Sequence, residues 1–94
     1  MNAYTYILIC SDNTYYTGST KNIARRIEQH TKGVGANHTR KRLPVKLVYL
    51  ELYDRIDVAF EREKQIQRWS SRKKQALINS DSNQLIAFSK KDSF

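Results

Sequence analysis

The chain has 94 residues, 39% of them hydrophobic, with only three glycines and one proline, so one globular domain is expected and two separate cores are not. A single cysteine, Cys10, rules out an internal disulfide and a cysteine-based metal cage. No apolar run is long enough to span a membrane, and no charged lead into an apolar leader is present, so a soluble, cytoplasmic protein with no membrane partner is expected. Seventeen Lys and Arg against nine Asp and Glu leave a net +8. That balance favours a nucleic-acid partner over the plainer readings, a solvated basic surface or a face for some other anionic partner.

The first predicted element is the strand YTYILIC (4–10), whose two apolar faces suit a central position in a sheet. SDN (11–13) supplies the turn, and TYYTGS (14–19) reads as the returning strand. With a three-residue loop, Leu8 pairs with Tyr16 and Tyr6 with Gly18, which puts Tyr6 and Tyr16 on one face. A two-residue loop would separate them. Asn13 tolerates the left-handed conformation of the longer loop, which is therefore preferred.

Asn22 is the expected N-cap of a helix IARRIEQHT. Ile23 and Ile27 form its buried stripe beside Ala24, Arg26 and His30 border that stripe, and Arg25 points to solvent. Residues 32–44 read as a basic, glycine-bearing loop, followed by a third strand, VKLVYLELY (45–53). A second helix is predicted over 57–69, capped by Asp54 or Asp57, and a third over 70–78, capped by Ser70 or Ser71. The result is an α+β unit, a small three-stranded antiparallel sheet flanked by helices in the order β-β-α-β-α-α. It occupies residues 1–80, with 81–94 as a C-terminal tail that packs through Leu85, Ile86 and Phe88 or frays.

Charge concentrates in two stretches: residues 19–46 carry a local +7 and residues 61–78 a local +4. Within the second stretch Ala59, Glu63 and Ile66 share one helical face, so a carboxylate interrupts a core-facing stripe. A buried carboxylate needs a cation, either an arginine or a divalent metal such as Mg²⁺ or Mn²⁺. Arg26 suits a phosphate, and His30 can orient a group or move a proton. Tyr6 and Tyr16, taken singly, read as packing residues. Either hydroxyl could position a water, or take its proton if its pKa were lowered. Tyr15 reads as packing, Trp69 as a core anchor, and the cations of RKK (72–74) suit a phosphate backbone at their helix start.

Taken in order, these residues resemble the GIY-YIG nuclease domain, most closely its small stand-alone bacterial type (UPF0213-like). Tyr4-Thr5-Tyr6 stands for the first signature element and Tyr16-Thr17-Gly18 for the second. Arg26 stands for the helix arginine, His30 for an accessory histidine, and Glu63, in EREKQI, for the metal-binding glutamate. His38 matches a loop residue near the site. RLP and WSSRKKQALI have counterparts in the small members, so the resemblance spans roughly Tyr4 to Ile78. It implies an endonuclease that hydrolyses DNA phosphodiesters with one Mg²⁺ or Mn²⁺ on Glu63. Tyr6 would activate or orient the water, Tyr16 and His30 would help hold it, Arg26 would neutralise the phosphate, and Gly18 would leave room at the site. Lys32, His38, Arg40, Lys41, Arg42, Arg72, Lys73 and Lys74 would contact DNA. Single-stranded or branched DNA, in repair, recombination or uptake, is the expected substrate, and a further protein partner is left open. Two other readings compete with the nuclease. One is a non-catalytic nucleic-acid-binding or adaptor module on the same fold. The other is an RNA binder with Tyr6 and Tyr16 on an exposed sheet face.

Overall fold

A computed structural model describes residues 2–79. The tail residues Leu85, Ile86 and Phe88 lie outside that range. Strands β1 (Ala3–Ile9), β2 (Tyr15–Thr20) and β3 (Lys46–Tyr53) form an antiparallel sheet in the order β2-β1-β3. β1 is the central strand, as its two apolar faces predict. Helices α1 (Ile23–Thr31), α3 (Ile56–Gln67) and α4 (Ser71–Asn79) fall where expected. A single turn, α2 (Asn37–Arg40), lies inside the basic loop and was not predicted, because four polar residues carry no periodicity.

The hairpin adopts the longer loop. Leu8 pairs with Tyr16 and Tyr6 with Gly18, Cys10 N–H donates to Thr14 O at 2.9 Å, and Asn13 takes a φ of 67°. Thr5, Ile7, Thr17, Ser19, Tyr49 and Glu51 therefore share the sheet face toward α3, and Tyr6, Leu8, Tyr16 and Gly18 share the other. The core on the α3 face is Ile7, Tyr49 and Ile66, with Tyr15, Trp69, Leu77 and Ile78 packed against it. Tyr15 is thus a packing residue, and so is Trp69, whose ring also lies under Arg62 and Lys73.

Two local expectations change. α3 begins after Arg55 with no side-chain cap, and Asp57 sits inside the first turn, accepting from Val58 N–H and the Arg55 guanidinium. An acidic group there still favours the helix dipole, so the cap is replaced rather than merely lost. On α1, Ile23 and Ile27 are only half-buried and Ala24 is exposed, so the one side chain the helix buries completely is His30. Asn22 and Ser70 do cap their helices, accepting from Arg25 N–H and Lys73 N–H at 3.1 Å each.

β3 carries a second buried carboxylate that the sequence reading passed over. Glu51 is fully buried and is met by the guanidinium of Arg62 at 3.0 Å and by the hydroxyls of Tyr49 and Tyr53 at 2.7 Å each. Removing one partner of such a pair strands a buried charge. Arg62→Leu should therefore lower unfolding free energy by about 3–5 kcal/mol in urea denaturation. Thr17 presents the opposite case, a buried hydroxyl with no hydrogen-bond partner among the described residues. Thr17→Val keeps the shape and removes the unmatched group, so the same measurement should show stability rising by about 1 kcal/mol.

Candidate active site

The hairpin register sets the site. Tyr6 and Tyr16 lie on the same face with ring centroids 6.4 Å apart, and the Tyr6 ring runs across β2 over Gly18. A Cβ on Gly18 would stand 2.6 Å from Tyr6 Cζ and closer still to its hydroxyl oxygen. Glycine is required here for that approach, because any side chain would push the tyrosine off the strand.

α1 supplies Arg26 and His30. The guanidinium of Arg26 donates to Gln29 Oε1 at 2.9 Å, and it lies close enough to the Tyr6 and Tyr16 hydroxyls for their charges to be felt in each other's ionisation. His30 Nε2 is 2.9 Å from the Tyr6 hydroxyl, and its ring lies against Tyr16 at 5.1 Å. The helix then ends in a Schellman turn: Gly33 takes φ 80° and donates to His30 O at 3.1 Å, and Val34 donates to Gln29 O at 3.0 Å. This reversal folds residues 35–40 back over His30. Gly35 then lies so close that a Cβ would meet His30 Nδ1 at 2.6 Å, and Thr39 Oγ1 approaches the same nitrogen at 2.8 Å.

The neighbouring His38 stacks on Tyr16 at 6.3 Å, and its Nε2 is 2.9 Å from Thr14 Oγ1. Thr14 donates to Asp12 at 2.6 Å, and Asp12 in turn receives Arg42 at 2.9 Å. Of the predicted site residues, Tyr6, Tyr16, Arg26, His30, His38 and Gly18 thus form one contiguous cluster.

Glu63 approaches from the other face of the sheet. Only 9% exposed, it accepts from Ser19 Oγ at 2.6 Å and Gln67 Nε2 at 2.8 Å, and Gln67 is braced on Thr17 O. Its charge is the smallest of the influences acting on the Tyr6 phenol. Glu51 is neutralised by an arginine, whereas Glu63 is met by neutral dipoles and by exposed Lys64 at 3.9 Å. The carboxylate therefore has no guanidinium closing it off among the described residues and keeps lone pairs free, a donor set suited to a hard divalent cation that otherwise takes water and phosphate oxygens.

The predicted basic residues fall into two groups. Lys41 and Arg72 are exposed, as are Lys32, which pairs with Glu28, and Arg40, which donates to Asn37. Arg42 is committed to Asp12 and His38 O, Lys73 covers Trp69, and Lys74 is half-buried, its pKa lowered by burial. Arg25 is exposed as predicted, yet it joins Arg26, Lys21 and Asn22 in lining an open depression of about 410 Å³ beside β2. The sequence signal that could have included Arg25 is its place one residue from Arg26 in the first turns of α1.

A model of the GIY-YIG catalytic domain matches residues 2–76. The chain belongs to this family. That membership makes it a member of a nuclease family with a nucleic-acid partner. Similar proteins include a UPF0213 protein of Syntrophus aciditrophicus, 49% identical over 80% of this chain and 87% of the relative, and one of Natronomonas pharaonis, 45% identical over 80% and 88%. The solution structure of a Bacillus halodurans UPF0213 protein matches with a TM-score of 0.57 at 34% identity, covering 100% of this chain and 97% of that one. Signature departures in this GIY-YIG chain are structural: Thr5 donates to Ala59 O at 2.8 Å, and Thr5 and Thr17 are both buried on the α3 face. Among the described residues no helix is long and apolar enough to cross a membrane.

Burial sets the protonation of the two central groups. It pushes the Tyr6 phenol up to about 12 against the opposing pull of Arg26, so Tyr6 holds its proton at neutral pH. The site contains no tyrosinate of the kind a lowered pKa would have given. Burial, aided by the charge of Arg26, brings His30 down to about 4, so the imidazole is neutral. A histidine that is neutral when folded, but has its ordinary pKa near 6.5 when unfolded, makes unfolding take up a proton between those values. Its contribution is complete above pH 6.5 and lost as pH falls toward 4. Urea titrations should show a loss on the order of 3 kcal/mol across that window, much reduced in His30→Gln.

Proposed function

We propose that the protein is a cytoplasmic, divalent-metal-dependent endonuclease that hydrolyses DNA phosphodiester bonds, with single-stranded or branched DNA as its substrate, in repair, recombination or uptake. The observation that carries this reading is Glu63. It is an inward carboxylate with no arginine bonded to it among the described residues, held instead by Ser19 and Gln67 and close enough to influence the Tyr6 phenol.

In this mechanism Glu63 would hold Mg²⁺ or Mn²⁺, which would supply Lewis-acid stabilisation of the phosphate and its leaving oxygen. Ser19 and Gln67 fix the carboxylate and leave its other lone pairs open to a cation. Arg26 neutralises charge building on the phosphate. Its guanidinium lies beside the Tyr6 hydroxyl, so a phosphate bound by Arg26 would sit next to the phenol that handles the attacking water. Tyr16 helps orient that water. His30, fully buried, reaches the reaction only through Tyr6. Arg25, Lys32, Arg40, Lys41 and Arg72 grip the phosphate backbone, with Lys73 and Lys74 adding positive charge beside Arg72, and Arg42 supports His38 from behind. The absence of a long recognition element among the described residues favours selection by strandedness or structure.

Incubation with single-stranded, duplex and branched DNA should show cutting with Mg²⁺ or Mn²⁺ and none with EDTA. Glu63→Ala should abolish cutting, and Arg26→Ala should slow it about 100- to 1,000-fold. Wild-type protein that binds these DNAs but never cuts them would overturn the proposal in favour of a binding module.

A further inference from the structure

We infer that Thr39 is a positioning residue. It locks His30 in the tautomer protonated at Nδ1, which leaves Nε2 free to take the proton of Tyr6. The orientation follows from hydrogen-bond stoichiometry. Thr39 Oγ1 lies 3.0 Å from Ala36 O, a backbone carbonyl that can only accept, so the single hydroxyl proton of Thr39 is committed there. Toward His30 Nδ1, 2.8 Å away, the same oxygen can then only accept, and Nδ1 must carry the hydrogen. His30 is neutral, so its other nitrogen presents a lone pair, and the bond of 2.9 Å to Tyr6 runs from phenol to Nε2. The side chains of Tyr6, His30 and Thr39 are all fully buried, away from competing water, so the directions of the bonds between them are fixed by the protein.

The second histidine is held the opposite way. Thr14 Oγ1 gives its proton to the Asp12 carboxylate at 2.6 Å, so it accepts from His38 Nε2 at 2.9 Å. The α2 turn, with His38 and Thr39 side by side, thus ties one imidazole to the hairpin turn and orders another behind Tyr6.

Resting on the nuclease reading, this chain gives the attacking water a proton path that requires no preformed tyrosinate. As a water O–H bond breaks toward Tyr6 Oη, the Tyr6 O–H proton moves to His30 Nε2. The resulting hydroxide forms the new P–O bond, and the bond to the leaving oxygen breaks. The leaving oxygen takes a proton from solvent. His30, briefly an imidazolium with Nδ1–H still on Thr39, returns its proton to Tyr6, whose surplus proton passes to solvent.

The test combines ¹⁵N NMR of the two imidazoles near pH 7 with cleavage kinetics for wild type, Thr39→Val and Thr39→Ser. The wild-type spectrum should show His30 protonated at Nδ1 and His38 at Nε2. Thr39→Val should shift His30 toward the Nε2–H form and lower kcat about 10- to 100-fold with KM little changed, and Thr39→Ser should restore both. His30 protonated at Nε2 in the wild type or Thr39→Ser overturns the inference, whether or not Thr39→Val folds. So does a Thr39→Val protein that keeps both its tautomer and its kcat. If no DNA is cut by the wild type, the nuclease reading fails, and the spectra of wild type and Thr39→Val still decide the role of Thr39.

Discussion

The hydrogen bond between Tyr6 and His30 is the constraint on which the rest of the site depends. α1 offers the sheet few fully buried apolar groups, so its placement rests on one polar side chain set between β1 and the loop that follows the helix. A polar contact can carry that load only if every buried donor and acceptor is matched, since an unmatched one would cost more than the contact returns. That requirement accounts for three features around it. Gly18 has no side chain, so the phenol can cross β2. Gly33 turns the chain back. Gly35 lets that returning backbone lie against the imidazole.

The two sheet faces divide the work. Stability sits on the α3 face, where Ile7, Tyr49 and Ile66 pack and Glu51 is neutralised in place by Arg62. The opposite face, apart from the buried Leu8, presents hydroxyls, imidazoles and a guanidinium. Glu63 belongs to the first face by its helix position but is held at the edge strand by Ser19, where its charge is felt at Tyr6. The contrast between the two glutamates is instructive because both are buried carboxylates. One is paired with a guanidinium and closed to further chemistry. The other is held by a hydroxyl and an amide, which orient it without cancelling its charge.

How much of this was legible in the sequence differs by residue, for physical reasons. The hairpin register could be read because Asn13 tolerates a positive φ and the alternation then fixes every side chain to a face. The inward aim of Glu63 could be read because helical spacing places it between Ala59 and Ile66. Glu51 was missed although it obeys the same logic, with a tyrosine two residues away on either side of it on one strand face. Strand periodicity is short, and a lone glutamate among apolar residues reads as the solvent side of an alternation. The apolar stripe expected on α1 misjudged His30, because hydrophobic patterning cannot credit a histidine whose partners lie nine and twenty-four residues away. The α2 turn carries no apolar pattern at all. Its position is set by the Schellman turn before it and by hydrogen bonds made only after folding.

A buried phenol held up near 12 beside an imidazole brought down to about 4 makes a pair that does not ionise spontaneously at neutral pH. Proton transfer between them in the resting protein is strongly uphill, which keeps the site electrically quiet. On the proposed mechanism, that balance changes when a phosphate neutralises Arg26, because the Arg26 charge is one of the two causes depressing the imidazole. The resting protonation states and the substrate's own charge would then be coupled through Arg26, and a neutral group at the scissile position would leave the pair as it rests.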